Sequence, residues 1–334
     1  MFEKVTYELL LIAVTPIAHH QEVFGNAAQV FRKDVRQPDG AFAKVPYITA
    51  DTMRHGLREA AAYTMLDAVG LLDKADLTEA ALRLLFAGGL ITGGGAGAVK
   101  LDEYREMVSL MPSLGLLGGC AQNRAIPGKL FVEDATLVCD ETLHLLPDWQ
   151  RTSDVLGEVS SQRAHIEETI RVRMDPSLDP SKRLLLTAGE HHAINQRLLT
   201  SEAASEANDA VEKRDAKSTM LPRSFETIKA GSLLSWRVSA VIQSDLERDA
   251  LHTMMGGFLS AAQVGGKRGT GHGRLAVHRL KDGEPAAREH KHFRPAETAQ
   301  VSADALALRG ASGLRTHYAQ HAERIRSMLA TVQA

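Results

Sequence analysis

The chain has 334 residues, 44% of them hydrophobic, enough to bury one large core or two modest ones. A net charge of −2 excludes attraction of nucleic acid to the molecule as a whole. The two cysteines, Cys120 and Cys139, exclude a disulfide scaffold and a Cys-x-x-Cys metal clip and point to a reduced, cytoplasmic protein. No stretch is long and apolar enough for a membrane helix, and no basic leader and small-residue cleavage site frames the first apolar run.

Val5 to Ala18 reads as a strand apolar on both faces, hence central. Residues 19–48 contain Gly25, Asn26, Pro38, Asp39, Gly40 and Pro46 and read as a long loop. The segment VPYITADTMRHGLREAAAYTMLDAVGLL gives the clearest helix. Thr49 or Asp51 caps it, and Met53, Leu57, Ala61, Met65, Ala68 and Leu72 recur at helical spacing. Residues 77–86 form a second helix ending at Gly88–Gly89, ITGGGAGAVK a flexible stretch, and DEYREMVSLM a third short helix.

Residues 129–140 read as a strand or hairpin. In residues 166–174 Ile170 and Val172 point one way, Arg171 and Arg173 the other. Residues 200–222 are polar and poorly periodic, an exposed arm. SLLSWRVSAVI is a firm strand, with Trp236, Val238, Ala240 and Ile242 on its core face and Ser235, Arg237 and Ser239 on its polar face. A helix follows with Leu246, Ala250, Met254, Phe258 and Ala262 inward, then a last strand, RLAVHRL. The tail, residues 300–334, is helical and docks on the surface. This order of strands and helices fits an α+β, ferredoxin-like (RRM-like) sheet with large insertions.

Two elements carry chemistry. From Gly265 to Arg294 eight Lys or Arg residues stand against three acids, with four histidines among them. Within this run lies GGKRGTGHGRL, with five glycines in nine residues (Gly265, Gly266, Gly269, Gly271 and Gly273). Glycines let backbone N–H groups approach an anion closely. Lys267, Arg268 and Arg274 add charge, and Thr270 and His272 add hydrogen-bond donors. The spacing matches neither a nucleotide P-loop nor a dinucleotide fingerprint, and the alternative is a solvated hairpin. The second element is the helix start at residues 47–58, where Thr49, Arg54, His55 and Arg58 meet the partial positive charge of a helix N-terminus. The alternative there is an ordinary surface helix.

Together these elements resemble the RAMP superfamily, the repeat-associated RNA-binding proteins of CRISPR systems. The likeness lies in an early apolar strand, a Pro-containing lead into an Arg-bearing helix (VPYITADTMRHGLREA) and a late glycine-rich loop before a strand (GGKRGTGHGRL). It extends to residues 170–174 and 225–242, and it is greatest to the backbone subunit of class 1 effector complexes, type IV in particular. The resemblance implies a palm (1–48, 121–150 and 225–285), a helical insertion (49–120), a thumb or arm (151–224) and a C-terminal extension (286–334). It implies a non-catalytic subunit that coats guide RNA (crRNA) and contacts other copies of itself and other effector-complex subunits. Target nucleic acid is then read through the guide. Arg171, Arg173 and Arg237 become further RNA-facing candidates.

Neither a cofactor nor a metal is expected. Type III relatives cut RNA with an Asp in the loop after the first strand. Here that loop holds Asp34 and Asp39 without a second carboxylate to frame a metal. Adjacent histidines, His19–His20 and His191–His192, point to opposite sides of a strand and chelate poorly, and His290 and His292 lack a third ligand. The alternatives are a RAMP-type endoribonuclease acting on guide precursor, with His55 or His272 as acid or base, and an unrelated small-molecule enzyme using the glycines at 93–97.

Overall fold

The computed structural model describes residues 3–24, 27–74, 76–90, 97–98, 100–121, 123–151, 156, 159–171, 187–190, 192–193, 196, 223–281 and 312–332. In chain order come β1 (Glu3–Ala13), β2 (His20–Phe24), β3 (Ala27–Val30), β4 (Arg32–Arg36), β5 (Phe42–Ile48), α1 (Ala50–Ala68), α2 (Glu79–Ala87) and β6 (Gly97–Ala98). Next are α3 (Leu101–Leu110), α4 (Pro112–Leu117), β7 (Gly119–Ala121), β8 (Arg124–Ile126), β9 (Leu130–Val132), β10 (Ala135–Leu137) and α5 (Asp148–Arg151). Last are β11 (Ile166–Arg171), β12 (Arg223–Ile228), β13 (Leu233–Ile242), α6 (Asp245–Ser260), β14 (Leu275–Lys281) and α7 (Ala322–Thr331). The chain divides into two units: Met1–His19, Val30–Ile166 and Thr227–Ala334 form the first, and His20–Gln29 with Glu167–Glu226 the second.

The first unit is built on a sheet ordered β14-β1-β13-β10-β5-β4, with β9 also paired to β13. The pairings of β1, β9, β10, β13 and β14 are antiparallel. Taking β1, α1, β9 with β10, β13, α6 and β14 as a βαββαβ unit, the spatial order is fourth, first, third, second. That is the ferredoxin-like arrangement expected from the sequence.

β1 is apolar on both faces because both are covered. Tyr7, Leu9 and Leu11 join the large core that holds Met53 and Leu57 of α1, Trp236 of β13 and Met254 and Phe258 of α6. Leu10, on the other face, packs with Val138 and Leu146. The core face read in β13 holds, with Trp236, Val238, Ala240 and Ile242 all buried, whereas Ser239, assigned to the polar face, is buried as well. Removing the larger of these side chains from water contributes roughly 1.5–3 kcal/mol each. Gly56 lets α1 lie close on α6, because a Cβ there would fall 2.3 Å from the Phe258 ring.

Several expectations are corrected. Residues 19–48 are four strands instead of a loop. β4 and β5 form a hairpin in register from Arg32 opposite Pro46 to Arg36 opposite Phe42. Its charged outer strand suits a sheet edge and hides the usual alternation. α1 stops at Ala68, Gly70 follows with φ 66°, and Leu72 is exposed. Helix α4 was not foreseen, and Ser113 on it accepts or donates a 2.9 Å hydrogen bond with Tyr318. The C-terminal helical residues dock through buried Leu314, Tyr318, Ile325 and Leu329.

The second unit holds a four-stranded sheet ordered β11-β12-β3-β2. β3 and β12 run parallel, with Ser224 opposite Ala27 and Phe225 opposite Ala28. Ile170, assigned with Val172 to one face of its strand, is exposed. Val172, the arm at 200–222 and residues 93–96 of the 93–97 glycine stretch lie outside the described residues, and Gly97 begins β6.

Candidate nucleic-acid interface

The glycine-rich loop is a tied structure, with its ends fixed to the segment Pro16–Ala18 that follows β1 and its middle open. Gly266 N–H donates to Ala18 O at 2.6 Å, Gly273 N–H to Pro16 O at 2.9 Å, and Val264 N–H to Gly273 O at 2.9 Å. Gly265 and Gly273 have φ of 75° and 87°. A Cβ at either would run into a carbonyl, 2.6 Å from Ala18 O or 2.0 Å from Val264 O. These two glycines are demanded by the fold. Gly269 is different: its φ is not positive, and a Cβ there would meet nothing within 4 Å. It sits in a single 3₁₀ turn, Arg268–Thr270, on an exposed crest. The intramolecular packing does not call for glycine there.

Lys267 and Arg274 are exposed on this loop. Lys267 stands in the left-handed region with φ 58°, and its carbonyl accepts from Thr270 N–H at 3.0 Å and Thr270 Oγ1 at 2.9 Å. The His272 ring lies 3.4 Å from Thr270 Oγ1. Gln263 closes the loop from beneath, its Nε2 donating to Arg268 O at 3.2 Å and His272 O at 2.9 Å. Arg268 reaches towards α1, with Nη1 3.6 Å from Glu59 Oε2. The loop and α1 are therefore neighbours, and His19 joins them a second time. Buried beside Ala18, His19 accepts the Thr49 N–H through Nε2 at 3.2 Å and stacks on Phe31 at 4.6 Å between ring centroids.

The front of α1 is arranged otherwise than its residue types suggested. Thr49 caps the helix, and its Oγ1 accepts from Thr52 N–H at 3.4 Å. The positive end is already neutralised: Asp134 Oδ1 accepts the Ala50 N–H at 2.8 Å, and Lys33 pairs with Asp134 Oδ2 at 3.2 Å. Arg54 donates to Leu130 O at 3.0 Å and to Leu117 O. Arg58 is buried and donates to Gly118 O at 3.0 Å and Leu84 O at 3.4 Å. Burial, and then the neighbouring Arg54 charge, pull the Arg58 pKa down to about 10. Arg54 is likewise lowered, first by burial, and Asp51 opposes this. Both guanidiniums are spent on carbonyls of the helical insertion and β9, so they tie that insertion to α1 and do not face a polyanion. Of the residues named on α1, His55 remains on the surface, its Nε2 3.5 Å from Glu59 Oε1.

Arg237 is exposed and has two carboxylate neighbours. It pairs with Glu8 Oε1 at 2.6 Å and lies 3.9 Å from Glu133 Oε1. It borders a cleft of about 240 Å³ lined by Glu8, Glu133, Asp134, Lys33 and Gln150. Three carboxylates against two cations make this a poor phosphate seat. Arg171 ends β11, with only its backbone described, and Arg173 lies outside the described residues.

Asp34 lies within strand β4, and Asp39 Oδ1 accepts the Ala41 N–H at 2.9 Å inside the β4–β5 turn. His20 Nε2 contacts Glu226 O at 2.7 Å. Among the described residues no three His, Cys, Asp or Glu side chains are grouped to hold a metal ion, and no helix is long and apolar enough to cross a membrane. His191, His290 and His292 lie outside the described residues. Sequence reasoning missed Glu59, Asp134 and His19 as parts of this region. Glu59 stands four residues after His55, a spacing that placed it on the same face. Asp134 comes from a turn 84 residues from its helix partner, with no local signal.

No protein-family model matches this chain, and no curated protein matches it. Its fold is similar to that of a solved chain described as "Type IV-B CRISPR Complex", with a TM-score of 0.52 and 16% identity over 87% of this chain and 96% of the other.

Proposed function

We propose that the chain is a guide-RNA-binding backbone subunit of a CRISPR ribonucleoprotein, without catalytic activity of its own. The observation that carries this reading is the tied loop at 265–274. It holds Lys267 and Arg274 at the surface around Gly269, a glycine that the packing itself does not require. Such a crest grips a sugar-phosphate chain through charge and backbone and leaves sequence to base pairing. The likeness in fold to a chain of a type IV-B CRISPR complex supports the same reading, and with it assembly with further copies and other subunits along the RNA. The low aromatic content, 5%, fits a protein that holds the backbone better than one that stacks bases.

A filter-binding titration with labelled single-stranded repeat RNA tests it. Lys267→Ala with Arg274→Ala is expected to weaken binding at least tenfold and to lower the slope of log K against log salt by about 1.4, at roughly 0.7 per lost phosphate contact. Intact RNA is expected throughout. Unchanged affinity would remove RNA binding from this loop, and discrete cuts would favour the endoribonuclease alternative.

A further inference from the structure

Arg268 is a cation of the loop with an anionic partner on α1. Its Nη1 lies 3.6 Å from Glu59 Oε2, and its Nε donates to Gly265 O at 3.3 Å. Glu59 is approached on its other oxygen by His55, at 3.5 Å. The Glu59 and Arg268 side chains retain 33% and 36% of their exposure, so the pair sits at the surface. Around it α1 and α6 pack through Gly56 against Phe258 and through Gly257 against Ala60. The core contacts of α1 run through Met53, Leu57, Ala61 and Met65, so the Glu59 carboxylate serves none of them.

We infer that Glu59 is an internal counter-ion that masks Arg268 and thereby sets the specificity of the loop for polyanions. This rests on the RNA-binding reading above. A half-exposed ion pair is weak, so it exchanges readily. A lone phosphate reaching Arg268 forms one pair at the expense of another and gains little. A strand already held at Lys267 and Arg274 presents its next phosphate at high local concentration, and the exchange then proceeds. Glu59 stays beside His55 after Arg268 is taken. The carboxylate thus discriminates against single anions while leaving a chain of phosphates able to bind.

The test is a double-mutant cycle on the full chain, using Glu59→Gln, Arg268→Gln and both together, with each variant checked by thermal melting. The readouts are single-stranded RNA affinity across a salt series and the concentration of inorganic phosphate that displaces half of the RNA. Glu59→Gln is expected to tighten RNA binding about two- to fivefold, the worth of an exposed pair. It should also steepen the salt slope by about 0.7, because Arg268 then counts fully among the phosphate contacts. Inorganic phosphate should compete at lower concentration. Arg268→Gln should cost more affinity in the Glu59→Gln background than in the wild type. If the wild type binds RNA and a folded Glu59→Gln variant binds equally or more weakly, masking is overturned and Glu59 only positions the loop. If neither protein binds RNA, the reading beneath it falls as well.

Discussion

Arg58 shows how a charged residue type can mislead and how geometry corrects it. Two arginines four apart on a helix share a face, and that much was legible. Which face was less so: Arg54 and Arg58 lie one step round from the Met53–Leu57 stripe, at the margin of the buried surface. The carbonyls they serve, at Leu84, Leu117, Gly118 and Leu130, come from elements far along the chain. Arg58→Ala leaves the Leu84 and Gly118 carbonyls without their donor and is expected to destabilise the fold by about 2–3 kcal/mol. Chemical denaturation measures that loss, and RNA affinity of the folded protein should be unaltered. The Cys139 thiol is pushed up to about 12, mainly by burial, from an ordinary value of 9. Below pH 9 both folded and unfolded thiols are protonated and this contribution to stability is fully present. As pH rises from 9 towards 12 the unfolded chain alone ionises, and the contribution is lost. Cys120 is buried too. A thiol reagent at pH 8 is therefore expected to label neither cysteine in the native protein and both after denaturation.

At the level of elements, the sheet was readable where one rule applied cleanly. Strand β13 alternates, and β1 is apolar on both faces because Leu9 and Leu10 enter different cores. Strands β2 to β5 were missed because Gly25, Pro38, Gly40 and Pro46 read as turn signals in the sequence, although Pro46 lies within β5, and because RKDVR offers a single buried residue, Val35. In the glycine-rich loop the composition suggested an anion site, but five glycines looked alike in sequence. The structure separates them by what a Cβ would touch. Gly273→Ala should lower the melting temperature by several degrees, since both φ and Val264 O oppose it. Gly269→Ala should leave melting unchanged and weaken RNA binding by crowding the crest. A calorimetric scan beside the binding titration distinguishes the two roles.

On the scale of the whole molecule, the ferredoxin-like sheet was legible from the order of its elements, whereas the make-up of the second unit was not. Its sheet recruits residues 20–29, whose strand β3 stands 197 positions before its parallel partner β12: Ala27 lies opposite Ser224 and Ala28 opposite Phe225. Parallel pairing over such separation leaves no period in either segment. The first unit closes on itself at each exit point. Phe31 N–H donates to His19 O at 3.0 Å, and Lys229 N–H donates to His165 O at 2.8 Å. Replacing 20–29 and 167–226 together with short turns should give a chain that still melts cooperatively, whereas removing 167–226 alone should not behave so well. Circular dichroism melts of the two deletions check this.

The paired exits have an evolutionary reading as well. A domain whose departing and returning chain ends are already stitched together behaves like a socket: what is plugged into it can be lengthened, exchanged or lost without rewiring the host. Two such sockets feed one appended sheet here, so a change in one insert has to be matched by the other. Variation among proteins of this architecture is therefore expected to arrive in pairs, with the lengths of the early and late inserts drifting together while the host between them keeps its register.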